Sequence, residues 1–72
     1  MDTKKTGAYL AALRKARGMT QQEAADQLGV SNKTVSKWEN GAGLPDITVL
    51  PALAELYGVT ADDILAGETL RG

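Results

Sequence analysis

Apolar positions in this chain recur at helical spacing, in short runs that a glycine closes and a capping residue reopens. In GAYLAALRKAR, residues Leu10, Leu13, Arg14 and Arg17 stand at i, i+3, i+4 and i+7. Thr6 is placed to open this run and Gly18 to close it, which predicts a first helix of about three turns. Thr20-Gln21-Gln22-Glu23 is a capping box ahead of a second helix over 21–28, stopped at Gly29. Ser31 caps NKTVSKWEN, which Gly41 ends. Only Gly29, Val30 and Ser31 separate the second helix from the third, so the two must cross steeply.

Pro45-Asp46 and Thr48 offer competing starts for the next element, and Pro51 is harmless only in the first turn of a helix. A turn or 3₁₀ piece at 46–49 and a fourth helix at about 50–57 follow. Gly58 ends it, and Thr60-Ala61-Asp62-Asp63 begins a fifth helix with carboxylates in its positive first turn, closed by Gly67. The prediction is one all-α domain of five short helices and no strand, ordered over about 6–67 with flexible termini. The stripes put Leu10, Leu13, Ala25, Leu28, Val30, Val35, Trp38, Leu50, Leu53, Leu56, Val59, Ile64 and Leu65 in its core.

Seventy-two residues cannot enclose both a stable core and a deep substrate cavity. The absence of Cys and His removes disulfides, thiolate chemistry, the usual zinc sites and the commonest general base. We therefore expect neither an enzyme nor a metal or other cofactor. Asp62 and Asp63 are read as partners of a helix dipole before a metal pair. MDTKK leads into no apolar signal segment, and no stretch nears the roughly 18 apolar residues of a membrane span, so a cytoplasmic location is expected.

The net charge of -1 conceals a division. Residues 1–40 carry seven Lys and Arg against four acids, while residues 41–72 carry one against five. One half can face an anion while the other turns away. On a helical wheel the third helix sets Ser31, Val35 and Trp38 inward and Lys33, Ser36, Lys37 and Asn40 outward. An α-helix fits the major groove of DNA, where Lys reaches guanine, Asn pairs with adenine and Ser or Thr serves either partner. Asn32 and Thr34 lie near the helix start, and Gln21, at the start of the second helix, is placed to hold a phosphate.

The stretch MTQQEAADQLGVSNKTVSKWENG resembles the helix-turn-helix of phage-repressor-like regulators, the XRE or Cro-repressor family. With LPDITVLPALAELYGVTADDILAGE the resemblance covers nearly all of residues 7–68. It implies a lambda-repressor-like five-helix domain that binds double-stranded operator DNA of near-palindromic sequence, commonly as a homodimer, with the third helix in the major groove. Position by position, it gives base reading to Asn32, Lys33, Thr34 and Lys37, and phosphate contact to Gln21 and Asn40. Ser36 and Arg14 complete the phosphate contacts we expect. Arg14 and Glu39 match a pair that in the family joins the first helix to the end of the third. Ala24 and Thr6 stand where the family often has larger aliphatics, and Pro51 interrupts the fourth helix early. The function expected is transcription regulation, by a repressor that occupies its operator. The fifth helix and its tail, with Ile64 and Leu70, are the candidate dimer surface.

Plainer readings stand beside these. Two lysines on a helix face are in isolation usually a solvated surface, and it is their place on the second helix of a tight, capped pair that favours DNA. Gln21 is ordinary at a helix start, and Asn40 before Gly41 serves equally as a C-terminal cap. Trp38 belongs to the core rather than to base stacking. Arg14 with Glu39 is either an exposed pair of little energy or a partly buried tie. The rival function is a protein-interaction module, an antitoxin or adaptor, with the third helix facing a protein.

Overall fold

Three side chains start three helices by turning back on their own backbone. The Thr20 hydroxyl accepts from the Glu23 amide at 3.0 Å while Glu23 accepts from the Thr20 amide at 2.9 Å. Ser31 accepts from the Thr34 amide at 3.1 Å, and Thr60 exchanges the same reciprocal pair with Asp63 at 3.0 and 3.1 Å. Each bond satisfies a donor that the helix itself leaves open. The computed structural model describes residues 2–70, and among them the helices are α1 (Thr3–Ala16), α2 (Gln21–Leu28), α3 (Asn32–Glu39), α4 (Leu50–Tyr57) and α5 (Ala61–Ala66), with no strand. α2, α4 and α5 fall where predicted, and α3 ends one residue earlier than predicted, at Glu39, with Asn40 as its C-cap. Before α4 the Asp46 carboxylate accepts from the amide and hydroxyl of Thr48, both at 2.9 Å, and Pro51 falls in the first turn.

The start of α1 differs from expectation. Its cap is Asp2, whose carboxylate accepts from the Lys5 amide at 3.0 Å. Thr6 lies a turn inside the helix, buried, and donates its hydroxyl to the Ile64 carbonyl at 3.0 Å. A hydroxyl engaged 58 residues away is unavailable to cap its own helix. Where a larger aliphatic was expected, a threonine thus satisfies a buried carbonyl of α5.

Leu10, Ala25, Val35, Trp38, Leu50, Leu53, Tyr57 and Ile64 form the buried cluster, flanked by half-buried Leu13, Leu28, Val30, Leu56 and Val59. Trp38 is core, as read. Two corrections concern α5: Leu65 is exposed, and Ile64, fully buried, is not available as a dimer surface. Ala24 and Tyr57 are core residues that the stripes did not include.

Two close approaches set the layout. At Gly7 a Cβ would collide with the carbonyl oxygen of Trp38 and stand 2.8 Å from that of Glu39, so α1 rests directly on the last turn of α3. Residues 67–70 fold back along α1: Lys5 pairs with Glu68 at 2.8 Å, the Tyr9 and Thr69 hydroxyls share a hydrogen bond at 3.0 Å, and the Leu70 amide donates to Asp63 at 3.0 Å. No helix among the described residues is long and apolar enough to cross a membrane.

Candidate nucleic-acid interface

Val35 and Trp38 hold α3 by its buried side, and this fixes what the other side presents. Asn32, Lys33, Lys37 and Asn40 are exposed there, with Thr34 and Ser36 half-buried. Among the described residues Lys33 and Lys37 make no hydrogen bond or ion pair, so both ammonium groups are open to an anion or a base edge. The amide nitrogen of Asn32 lies 3.4 Å from the Gln22 side-chain oxygen, and that of Asn40 donates to Ser36 at 3.3 Å. Asn40 is also the C-cap residue of α3, with the left-handed step taken by Gly41 at φ 74°. The hydroxyls of Ser31 and Thr34 share a bond at 2.9 Å. Ser31, placed inward on the wheel, is exposed and acts as the cap rather than as an anchor.

Behind the face is a polar tie. Arg14 donates from Nε to Glu39 Oε2 at 2.8 Å, from Nη2 to Oε1 at 3.0 Å, and from Nη1 to the Met19 carbonyl at 2.8 Å. Gln21 adds its amide nitrogen to Glu39 Oε1 at 3.0 Å. The side chains of Arg14 and Glu39 are 11% and 6% exposed, which decides between the two readings of this pair: it is the partly buried tie, and its bidentate geometry is the kind that offsets the desolvation of both charges. The bond to Glu39 holds the Arg14 guanidinium above its ordinary range. Burial, with the Glu39 carboxylate adding to it and Arg14 opposing, pushes the nearby Tyr57 phenol up.

Of the residues proposed from sequence, Asn32, Lys33, Ser36, Lys37 and Asn40 therefore share one surface, with Thr34 at its edge. Gln21 stands at the start of α2 with its nitrogen turned to Glu39. Each of the three guanidinium nitrogens of Arg14 makes a hydrogen bond inside the protein, which places it behind the surface with Glu39. Two neighbours of the face carried no sequence signal. Gln22 touches Asn32, and Lys4 packs against Gly41. Both placements depend on how separate helices meet.

Two helices joined by a three-residue turn, the second presenting two unpaired lysines and the side chains of Asn32 and Asn40 outward, make a helix-turn-helix module. A family model described as "Helix-turn-helix" matches residues 10–64, and the chain belongs to that family, among its phage-repressor-like, XRE-type members. It is 41% identical over 61 residues to the HTH-type transcriptional activator BcrR of Enterococcus faecalis, covering 85% of this chain and 30% of that protein. It is 36% identical over 55 residues to the cryptic phage CTXphi transcriptional repressor RstR of Vibrio cholerae, covering 76% of this chain and 49% of that one. The chain thus spans half or less of the length of these two relatives. Among solved structures, the clp gene regulator ClgR of Corynebacterium glutamicum superposes with a TM-score of 0.77 at 25% identity, over 93% of this chain and 87% of that one.

Proposed function

We propose that this domain binds double-stranded DNA sequence-specifically, as the operator-reading part of a cytoplasmic transcription regulator, with α3 in the major groove. The observation that carries the reading is the pair Lys33 and Lys37, exposed and without a hydrogen-bond or ion-pair partner among the described residues, on a helix whose opposite side is locked into the core. Asn32, Lys33, Thr34 and Lys37 read base edges. Gln21, Ser36 and Asn40 position the domain on the phosphates, and Arg14 contributes by holding Glu39 and thereby the end of α3. A homodimer with its α3 helices about 34 Å apart would engage successive major grooves of a near-palindrome. Leu65 and Leu70, both exposed, are the side chains that α5 and its tail offer to a second copy. Its similarity to an activator and to a repressor supports regulation in general, with the sign set by where the operator lies relative to the promoter; occupancy across a promoter represses.

Selection of bound sequences from a random duplex pool at low salt tests this reading. An enriched two-fold motif with half-sites about one helical turn apart is the expected result. A single enriched half-site would retain the DNA reading and remove the dimer. No enrichment by folded protein would overturn it in favour of a protein partner for α3.

A further inference from the structure

The described residues hold seven cations, and the structure accounts for nearly all of them. Lys33 and Lys37 are on the outer face of α3, Arg14 is inside the Glu39 tie, and Lys5 is paired with Glu68. Lys15 and Arg17 belong to the far end of α1, where the Arg17 guanidinium would stand 2.9 Å from a Cβ on Gly58, beside α4. Lys4 remains. It is exposed, and it makes no hydrogen bond or ion pair among the described residues.

Its position is fixed by Gly41. A Cβ added there would meet the Lys4 Cγ at 2.9 Å and the Lys4 Cα at 3.0 Å, so the first turn of α1 lies against the residue that follows Asn40. The segment from Asn40 to Leu50 contains no Lys or Arg. Beyond Lys37 in the last turn of α3, nucleic-acid backbone passing that end of the helix would therefore find its next free cation on α1 and not on the adjoining loop. The end of α1 is not itself the attraction, because the Asp2 carboxylate already takes the Lys5 amide. Asp2 also adds a negative charge nearby, which leaves the Lys4 ammonium as the group able to bind an anion.

We infer that Lys4 is a phosphate contact of the DNA interface, extending the surface of α3 past Asn40 onto α1. This rests on the DNA-binding reading. The contact is electrostatic and independent of sequence, so a short duplex of mixed sequence is a sufficient probe.

The test compares the whole chain with Lys4→Gln, Lys5→Gln and Lys33→Gln in titrations with that duplex over a fourfold range of salt. Gln keeps the Cγ that lies against Gly41 and removes the charge, and an unchanged melting curve confirms that packing. Lys4→Gln is expected to reduce the slope of log K against log salt by about 0.9, so that its deficit against the parent narrows about 3.5-fold as salt rises fourfold. Lys4→Arg should restore the parent slope, and Lys5→Gln should not alter it. A parent that binds and loses affinity with Lys33→Gln, while Lys4→Gln matches it at every salt, overturns the inference and leaves the DNA reading standing. A folded parent that does not bind the duplex at all overturns both.

Discussion

Arg14 meets Glu39 side-on, Nε to Oε2 at 2.8 Å and Nη2 to Oε1 at 3.0 Å, in a pair almost removed from water. Removing one partner strands the other. Arg14→Ala is expected to cost about 3–5 kcal/mol, whereas Arg14→Met combined with Glu39→Leu should cost less than either single change to Ala, because no buried charge is left over. Chemical denaturation of the three variants checks this. The double variant also isolates the role of the arginine: a salt slope on DNA equal to the parent's means that Arg14 braces α3 without touching phosphate.

Gly7 is the second point at which α1 depends on α3. Ala there must displace the carbonyls of Trp38 and Glu39, both backbone atoms, and the expected loss is about 1–3 kcal/mol. For a domain of this size that lowers the melting temperature by about 4–8 °C per kcal/mol. Ala8 is exposed on the same helix, so Ala8→Gly reports the helix-propensity part alone, about 1 kcal/mol, for comparison. A Gly7→Ala variant at least as stable as the parent would mean that the helices stand further apart than described.

Tyr57 gives the fold an alkaline limit. Its phenol ionises at a higher pH in the folded chain than its ordinary 10.0, so between those two values the folded state holds a proton that the unfolded state has released. The associated stability is complete below pH 10 and declines as pH rises through the folded value. Lys5, also raised by its bond to Glu68, acts in the same direction. Tyr57→Phe should therefore narrow its stability difference from the parent, or reverse it, as pH rises above 10. Parallel stability–pH curves for parent and variant would remove Tyr57 as a source of that decline.

Base reading and backbone contact separate by specificity. If Lys37 reads a base, Lys37→Ala should cost about 1–3 kcal/mol on the preferred operator, relax preference at one position and leave other sequences little changed. Gln21→Ala should weaken binding on all sequences alike, since Gln21 bonds Glu39 and stands at the start of α2. A shift in the preferred motif with Gln21→Ala would reverse the division of roles.

Much of this architecture was legible because helix starts are local. Thr20, Ser31 and Thr60 each bond an amide three residues away, and a four-residue window is enough to see them. Thr6 misled for the opposite reason: as a hydroxyl ahead of a glycine it has the form of a cap, and its partner is the carbonyl of Ile64. The short α5 offered the wheel too few turns to separate Ile64 from Leu65, and Ala24 carried too little apolar surface to register as core. In the interface, the outward set on α3 followed from the positions of Val35 and Trp38. Whether Arg14 and Glu39 were buried did not, since burial depends on three helix ends converging. Lys4 was invisible for the same reason.

The fold-back of residues 67–70 has a mechanical consequence. A pull applied between the start of α1 and the tail loads the bonds from Lys5 to Glu68 and from Tyr9 to Thr69 first, both on the surface and both breakable one at a time. The tail and then α5 would peel from α1 before the load came to Arg14, further along the same helix. Tension applied there is met first by these surface bonds, ahead of the tie from Arg14 to Glu39 that holds the end of α3.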